Sequence, residues 1–274
     1  MFQCSHVHMF QRRKGMDKVY AIVLAAGRGA RMKSQVAKQY IELDGKPVLY
    51  YALQAFEKSP VDHVILVTGE NDIEYCYQEI VEKYGFTKVC RITAGGSQRY
   101  HSVWNGLKAV KEHLAASGTG IIETESRTLK QETSCKVLIH DGARCFVDQE
   151  TIRSCIKALE TCPACVAAVP AKDTIKRVDG NLMSAETLQR DQLWIIQTPQ
   201  AFDLEPVYDA YAMMEEDIAS GKAVHVTDDT SVVEAYKHIP SRMVMSSYYN
   251  MKITTPEDLI LGEAILRERR HQAV

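Results

Sequence analysis

Short apolar runs rich in β-branched residues alternate with longer amphipathic stretches along most of the chain, and this alternation constrains the fold more than any other feature. A short run buried on both faces is typical of a parallel strand, and parallel strands are usually joined through a helix. The pattern predicts an α/β fold with a mostly parallel, Rossmann-like sheet flanked by helices. The predicted strands are Val19 to Ala25, His63 to Thr68, Lys88 to Thr93, Lys136 to His140, Cys165 to Val169 and Arg242 to Ser246.

Helical periodicity fills the intervals between these strands. Pro47 suits a first helical turn, and the apolar residues from Val48 to Phe56 fall on one stripe after it. Further helices are predicted at Asp72 to Tyr84, Gln98 to Ala116, Asp148 to Glu160, Glu205 to Ser220 and Pro256 to Arg269.

Two stretches interrupt this rhythm. Residues 117–135 are polar and without clear period, which predicts a surface excursion. Residues 171–196 read as two extended segments around Asp179-Gly180, a dipeptide that favours a tight hairpin turn. Because a lone two-stranded ribbon is barely stable, we expect this projecting arm to pack on something, and a second copy of the chain could supply that surface.

The length of 274 residues allows one large domain or two small ones. Neither an internal repeat nor a linker rich in Pro, Gly or Ser is present, so residues 18–274 are predicted to form one domain. Residues 1–17 lack the apolar segment of a secretory signal and are predicted to be a disordered extension.

Composition excludes several classes of function. Lys plus Arg number 33 against 35 Asp plus Glu, so the chain lacks the basic balance of a dedicated nucleic-acid binder. No apolar run reaches the roughly 18 residues that cross a bilayer, which predicts no membrane partner. Eight cysteines are too dilute for a disulfide scaffold, and without an export signal a cytoplasmic location is expected.

The first motif with chemical meaning, LAAGRGARM at residues 24–32, follows the first strand. A glycine turn presents backbone N–H groups that can cradle phosphates, beyond the carboxyl end of a strand where ligands of such sheets bind. Met32 stands where a dinucleotide fingerprint needs its third glycine, which disfavours an NAD-dependent oxidoreductase. Arg31 and Lys38 instead add two cations, and these suit a polyphosphate whose charge changes in the transition state.

Two further motifs follow later strands. In GGSQRYHSV (residues 95–103) the backbone could read a base edge and Ser102 could hydrogen-bond, although a tight turn with a capping serine is the simpler alternative. In VLIHDGAR (residues 137–144) Asp141 is placed where a metal ion or a sugar hydroxyl can reach it. Arg144 adds a phosphate contact or pairs with Asp141, and His140 is expected to be packed rather than catalytic.

The fourth motif, YNMKITTPED at residues 249–258, precedes the last predicted helix. Thr254 or Thr255 with Pro256 marks the start of that helix. Lys252 would lie close to anything bound at the helix N-terminus.

Together, in this order and spacing, the four motifs resemble the 2-C-methyl-D-erythritol 4-phosphate cytidylyltransferases of the non-mevalonate isoprenoid pathway. The resemblance runs from Val19 to Arg269 and includes the segments at 173–176, 190–202 and 227–234. It implies a nucleotide-diphospho-sugar transferase-like sheet in a homodimer, with each hairpin arm reaching the partner's active site. The implied reaction joins CTP and the methylerythritol phosphate, with Mg²⁺ on the triphosphate, and releases pyrophosphate.

Matched residue by residue, the resemblance also implies a role for each candidate. Ala25, Ala26 and Gly27 would hold the nucleotide, with Gly96, Ser97 and Ser102 near the cytosine. Arg31 and Lys38 would stabilise charge on the α-phosphate, and Lys252, also catalytic, would lie with Asp141 near the sugar phosphate. Thr174 and Arg190 of the other subunit would grip the substrate phosphate, together with Arg144. Asp141 is also the candidate for a metal contact.

Three departures from the family pattern concern geometry. Ala37 and Cys145 stand where the family usually has proline, and the excursion at 117–135 is longer than usual.

Two alternative functions stay open. Ribitol 5-phosphate cytidylyltransferase has similar loops, but more often has two glycines where this chain has Ala26-Gly27. A silent nucleotide-binding regulator is disfavoured, since binding alone does not need cations clustered on the α-phosphate.

Overall fold

The structure, a computed structural model, describes residues 17–27, 37–117 and 134–272. Residues 1–16 of the predicted extension, residues 118–133 of the predicted excursion, and Arg31 lie outside these ranges. Among the described residues, no helix is long and apolar enough to cross a membrane.

The elements alternate along the chain as the periodicity predicts. The first half contains β1 (Lys18–Ala25), a 3₁₀ turn (Lys38–Tyr40), β2 (Glu42–Leu43), β3 (Lys46–Pro47), α1 (Val48–Glu57), β4 (His63–Thr68), α2 (Ile73–Tyr75, continued by the π-helical Cys76–Glu82), β5 (Val89–Ala94) and α3 (Arg99–Ala116). The second half contains β6 (Cys135–Asp141), α4 (Gln149–Ala158), β7 (Ala164–Pro170), β8 (Lys176–Val178), β9 (Ser184–Thr187), β10 (Trp194–Asp203), α5 (Leu204–Ala219), α6 (Asp229–Lys237), β11 (Arg242–Met245) and α7 (Pro256–Gln272).

Within the described ranges, one seven-stranded sheet has the order β11-β7-β10-β6-β1-β4-β5. Strand β10 runs antiparallel to both of its neighbours, whereas the other recorded pairings are parallel. The prediction of a mostly parallel α/β sheet is therefore confirmed. The parallel order brings the carboxyl ends of β1, β4, β5 and β6 to one edge of the sheet.

Both faces of this sheet are buried, as the apolar runs require. In β1, Ala21 and Val23 point into one core and Tyr20 and Ile22 into the other, because successive side chains of a strand face opposite ways. The first core lies under α1 and α4, and the second lies under α3, α5 and α6. A third, smaller cluster joins α7 to the segments around β2 and β6.

Strand bounds agree with the predictions to within one or two residues, but three elements are additional. The short hairpin β2–β3, helix α6 and the carboxyl half of β10 were not predicted. Helix α6 begins at a capping box, in which Asp228 accepts a hydrogen bond from the backbone of Ser231 and the Ser231 hydroxyl accepts one from the backbone of Asp228.

The predicted arm is present as the hairpin β8–β9, with two corrections. Residues 194–196 of the predicted range 171–196 belong to β10, since Trp194 pairs with Pro170 in the main sheet. The connection is also longer than a tight turn on Asp179-Gly180: five residues separate Val178 from its partner Ser184. The Asp179 carboxylate accepts hydrogen bonds from two backbone N–H groups of this loop, which favours the longer form.

Candidate active site

A cleft of about 630 Å³ opens at the carboxyl ends of strands β1, β5 and β6. Its volume falls within the range of small-molecule sites. Four motifs far apart in sequence contribute to its lining. The predicted site residues that line it are Ala25, Ala26, Gly27, Lys38, Gly96, Ser97, Ser102, Asp141 and Lys252.

The glycine turn after β5 closes against the end of β1. A β-carbon at Gly95 would collide with Ala26 and lie 2.7 Å from Ser102 Oγ, so only glycine allows this approach. The Ser102 hydroxyl accepts a hydrogen bond from the Gly96 backbone at 3.1 Å and donates one to the Gln98 carbonyl at 3.3 Å. Ser102 therefore shapes the turn, as the simpler alternative proposed, and it is also one of the residues that line the cleft.

The 3₁₀ turn holds Lys38 in the cleft. The neighbouring Gln39 is buried, and its amide donates to the Ala25 carbonyl at 2.5 Å, which ties the turn to the end of β1. Tyr40 is bonded to Thr68 of β4 at 2.8 Å. These contacts fix the two residues that follow Lys38. Lys38 Nζ lies 3.3 Å from the carbonyl of Ile253, the residue that follows Lys252.

Asp141, at the end of β6, is surrounded by cations. Its Oδ2 accepts from Lys252 Nζ at 2.8 Å, its Oδ1 lies 3.3 Å from Arg99 Nε, and Arg144 Nε is 3.9 Å away. Burial alone would raise the pKa of this carboxyl, but Arg99, Lys252 and Arg144 outweigh burial and hold its pKa well below the usual range. Asp141 is therefore a permanent anion, not a proton donor or acceptor near neutral pH.

Arg99 is a cleft residue to which the sequence analysis gave no role. Its guanidinium forms two hydrogen bonds with the buried carboxylate of Asp229, at 2.7 and 2.8 Å. Arg99 lies in the motif GGSQRYHSV and Asp229 in the segment 227–234, and the two residues are 130 positions apart in the sequence. Opposite charges in two motifs made an ion pair conceivable, but sequence spacing could not show that these two residues pair.

His140 is packed, in agreement with the expectation. Its Nε2 donates to the Arg144 carbonyl at 3.0 Å, which leaves Nδ1 to accept from the Thr198 hydroxyl at 3.0 Å. Burial lowers the pKa of His140 to about 4, so the ring is neutral near neutral pH. The cysteines of the described ranges, including Cys162 and Cys165, are free thiols.

Three predicted residues of the described ranges do not line the cleft of their own chain, although Arg144 lies directly behind Asp141. Arg144 is largely buried and donates to the Asn250 carbonyl at 2.9 Å. Thr174 and Arg190 lie on the arm, exposed to solvent, where Arg190 donates to the Lys172 carbonyl at 2.9 Å. Arg31 belongs to the part of the first motif outside the described residues.

Comparison with known proteins agrees with the motif reading. The family model for 2-C-methyl-D-erythritol 4-phosphate cytidylyltransferase (IspD) matches residues 19–268. The chain belongs to this cytidylyltransferase family. It is 44% identical to the family's member from Lachnoclostridium phytofermentans over 93% of this chain and 99% of that protein. Identity to the member from Clostridium kluyveri is 43%, over 93% of this chain and all of that protein.

Solved structures of cytidylyltransferases share the fold. The crystal structure of 4-diphosphocytidyl-2C-methyl-D-erythritol synthase from Anaerococcus prevotii superposes with a TM-score of 0.72 at 33% identity, covering 92% of this chain and 96% of that one. The Francisella tularensis cytidylyltransferase gives a TM-score of 0.65 at 28% identity, covering 89% and 98%. The family assignment therefore extends over nearly the whole chain.

Proposed function

We propose that residues 18–274 form one nucleotidyltransferase domain that transfers the cytidylyl group of CTP to 2-C-methyl-D-erythritol 4-phosphate. The products are 4-diphosphocytidyl-2-C-methyl-D-erythritol and pyrophosphate. The observation that supports this most strongly is the convergence of the four motifs on one cleft that contains Lys38 and Lys252.

The nucleotide lies along the end of β1 and the glycine turn after β5. Backbone N–H groups of Ala26 and Gly27 face the phosphates, and the turn at Gly96 and Ser97 faces the cytosine, with Ser102 behind it. Close backbone approach is possible because glycines form these turns.

The reaction is direct in-line attack by the acceptor phosphate on the α-phosphate of CTP. A phosphate monoester is already an anion at neutral pH, so its oxygen needs little help from a base, and the main obstacle is repulsion between two anions. Arg31, Lys38 and Lys252 reduce that repulsion and stabilise the charge of the transition state. Asp141 and His140 are unsuited to act as bases, since the first is locked between cations and the second is buried and doubly hydrogen-bonded.

Mg²⁺ enters as part of the substrate, bound to the triphosphate of CTP. The one carboxylate considered as a metal contact, Asp141, already accepts from Arg99 and Lys252, with Arg144 nearby. An Mg²⁺ ion at this carboxylate would face three positive side chains, so Asp141 does not fit the role of a protein ligand. We assign Mg²⁺ no ligand from the protein.

The acceptor phosphate is bound from a second subunit. Thr174 and Arg190 are exposed on the arm and away from their own cleft. Apolar side chains at the arm tip are exposed as well, with Leu182 82% and Met183 67% accessible. In a homodimer the arm packs on the partner and brings Arg190 to the partner's cleft. We place the dimer in the cytoplasm, where CTP is available.

Pyrophosphate release tests this function. Purified protein with Mg²⁺ is incubated with each of the four nucleoside triphosphates and with either methylerythritol phosphate or ribitol 5-phosphate. We expect release from CTP with methylerythritol phosphate, and little from the other pairs. Faster release with ribitol 5-phosphate would establish the alternative acceptor, and no release from CTP with either acceptor would refute the proposal. A Lys38→Ala preparation controls for contaminating activity.

A further inference from the structure

A buried carboxylate behind the cleft has no part in the reaction described so far. Asp229, the first residue of α6, is fully buried. It accepts two hydrogen bonds from Arg99, and the Tyr211 hydroxyl donates a third at 2.7 Å. Burying a charge is costly unless it is paired and hydrogen-bonded, and here the Arg99 fork supplies the opposite charge and two of the three hydrogen bonds to the carboxylate.

Arg99 links the buried Asp229 to Asp141 in the cleft. The same guanidinium that is fixed by Asp229 places Nε 3.3 Å from Asp141 Oδ1, and the other oxygen of Asp141 accepts from Lys252 at 2.8 Å. A continuous chain of opposite charges therefore runs from α6 through α3 and β6 to the catalytic lysine. Each link fixes the orientation of the next, because the arginine fork is planar and both oxygens of Asp141 are used.

We propose that Asp229 and Arg99 are positioning residues, which orient the Asp141 carboxylate and through it the Lys252 ammonium group. This inference rests on the proposed function, since it requires that Lys252 act on the phosphates. If Asp229 loses its charge, Arg99 is released and its positive charge competes with Lys252 for Asp141. Lys252 then spends less time where the transition state needs it.

A double-mutant cycle between Asp229→Asn and Lys252→Ala tests the coupling. We expect Asp229→Asn to lower kcat about 10- to 100-fold while the KM for CTP changes less than about threefold. In the Lys252→Ala background the same substitution should lower kcat less than about threefold, because the group that Asp229 positions is already gone. Equal effects in both backgrounds would overturn the proposal.

Asp228→Asn is the matched control. Asp228 caps the same helix and is hydrogen-bonded to Ser231, Thr230 and Gln200, whereas the ion pairs of Arg99 within the described residues are with Asp229 and Asp141. It should lower the melting temperature without the coupling to Lys252. If Asp229→Asn does not fold, Arg99→Lys takes its place in the cycle, since it keeps the charge and loses the fork. Wild-type enzyme that releases no pyrophosphate would refute the proposed function itself, whereas active enzyme with additive effects would refute only the positioning role.

A second, independent feature is a cluster of two histidines and a cysteine at the amino ends of β4 and β5, the ends opposite the cleft. His63 at the start of β4, Cys90 near the start of β5 and His113 near the end of α3 place their ligand atoms within 4.8 Å of one another. All three side chains are partly accessible. The Tyr20 hydroxyl is hydrogen-bonded to Nδ1 of His113 at 2.8 Å, which directs Nε2 of that ring away from Tyr20.

The geometry points to a site for a borderline-soft divalent cation of the Zn²⁺ class, with two imidazoles, one thiolate and water as ligands. Tetrahedral zinc holds such ligand atoms roughly 3.3–3.8 Å apart, so side-chain rotations on the order of 1 Å would complete the site. The Tyr20 hydroxyl supplies the outer hydrogen bond that orients metal-binding histidines. The thiol proton of Cys90 is released to solvent when the metal–sulfur bond forms.

Cobalt titration of metal-free protein, without nucleotide, tests this site. We expect one equivalent of Co²⁺ to give a thiolate-to-cobalt absorption band that Zn²⁺ abolishes. Cys90→Ser should remove the band and His63→Gln should weaken binding at least about tenfold. Cys162→Ser, which changes a half-buried thiol elsewhere, should behave as wild type. Absence of the band in folded wild-type protein, or its persistence in Cys90→Ser, would show that the three side chains only pack together.

Discussion

The cationic side chains of the cleft and of the arm differ in what holds them in place. In the cleft, Lys252 is bound to Asp141, Asp141 lies against Arg99, and Arg99 is held by a fully buried carboxylate. On the arm, Arg190 is exposed and its recorded hydrogen bond is to a backbone carbonyl of the same segment. Charges in the cleft are therefore oriented by contacts within the chain, whereas Arg190 has no such charged partner among its hydrogen bonds to the described residues of the arm. This difference agrees with our proposal that the nucleotide site is built within one chain and that the acceptor site is completed by a second subunit.

Removal of Lys38 should have the largest effect. Lys38→Ala should lower kcat about 100- to 1,000-fold while the KM for CTP changes little, since we propose that its contact strengthens in the transition state. Steady-state pyrophosphate release measures both constants. Lys83→Ala, at an exposed lysine far from the cleft, is the control and should retain activity. Equal losses in CTP binding and in kcat would contradict the proposed role of Lys38.

Removal of Arg190 should affect the acceptor alone. Arg190→Ala should raise the KM for the sugar phosphate about 10- to 100-fold, the expected loss for a hydrogen bond to a charged group, and should leave the KM for CTP unchanged. Arg177→Ala is a matched control, because Arg177 is an exposed arginine of the same arm that pairs with Glu186. A similar rise in KM in both variants would indicate a general charge effect.

Mixing two defective chains, assayed at an acceptor concentration well below the raised KM of Arg190→Ala so that neither chain alone is appreciably active, tests whether the sites are shared. A heterodimer of Arg190→Ala and Lys38→Ala chains has one site with both defects and one with neither. A freely exchanged equimolar mixture should therefore recover about a quarter of wild-type activity. Heterodimer formation is verified first by native mass spectrometry. No recovery from confirmed heterodimers would place Arg190 in the site of its own chain.

Acid should destabilise the region behind the cleft through His140. Burial lowers its pKa to about 4 in the folded protein, against an ordinary value of 6.5, so unfolding takes up a proton below pH 6.5. The resulting stabilisation is present above pH 6.5 and is lost as the pH falls toward 4. Between pH 7 and pH 5 the free energy of unfolding should fall by about 2 kcal/mol from this group, as measured by urea unfolding. His140→Gln should reduce this dependence, and His225→Gln, at an exposed histidine, should not.

The smallest expected effect concerns a departure from the family pattern. Ala37 has φ of −61° and ψ of 137°, a backbone conformation that proline also adopts. Ala37→Pro should therefore raise the free energy of unfolding by about 0.4–1 kcal/mol, and kcat should not fall. Thermal unfolding and steady-state kinetics measure the two effects. A loss of stability would indicate that the chain before Lys38 cannot accept the family's proline.

The sequence predicted well those features that depend on local periodicity. Buried strands such as β4 were found with their true ends, because apolar runs bounded by polar turns have few alternatives. The same dipeptide, however, had two outcomes. Asp44-Gly45 forms a two-residue turn with φ of 54° and 73°, whereas Asp179-Gly180 begins a five-residue loop whose left-handed residue is Leu182. The side chain of Asp179 bonds within its loop, and dipeptide statistics do not include that competition.

The candidate site was predictable in its parts but not in its connections. The motifs correctly identified residues such as Lys38, Ser102 and Asp141 as neighbours of one cleft. The pairing of Arg99 with Asp229 was missed, because it joins helices 130 residues apart and depends on the tertiary structure. Strand β10 was recognised only in part, since Gln197 and Gln200 are buried through side-chain hydrogen bonds and do not read as strand residues.

The arm leaves and rejoins the sheet at adjacent positions. Trp194 pairs with Pro170, and the Ala171 N–H donates to the Leu193 carbonyl at 2.9 Å, so the two ends of the insertion are stitched one strand spacing apart. An insertion attached in this way can change in length or sequence without disturbing the sheet, because the hydrogen bonds between β7 and β10 do not depend on the residues of the arm. If the arm binds the acceptor and the partner as we propose, changes in its length or sequence would alter those two functions while the strands that hold the nucleotide pocket stay in place.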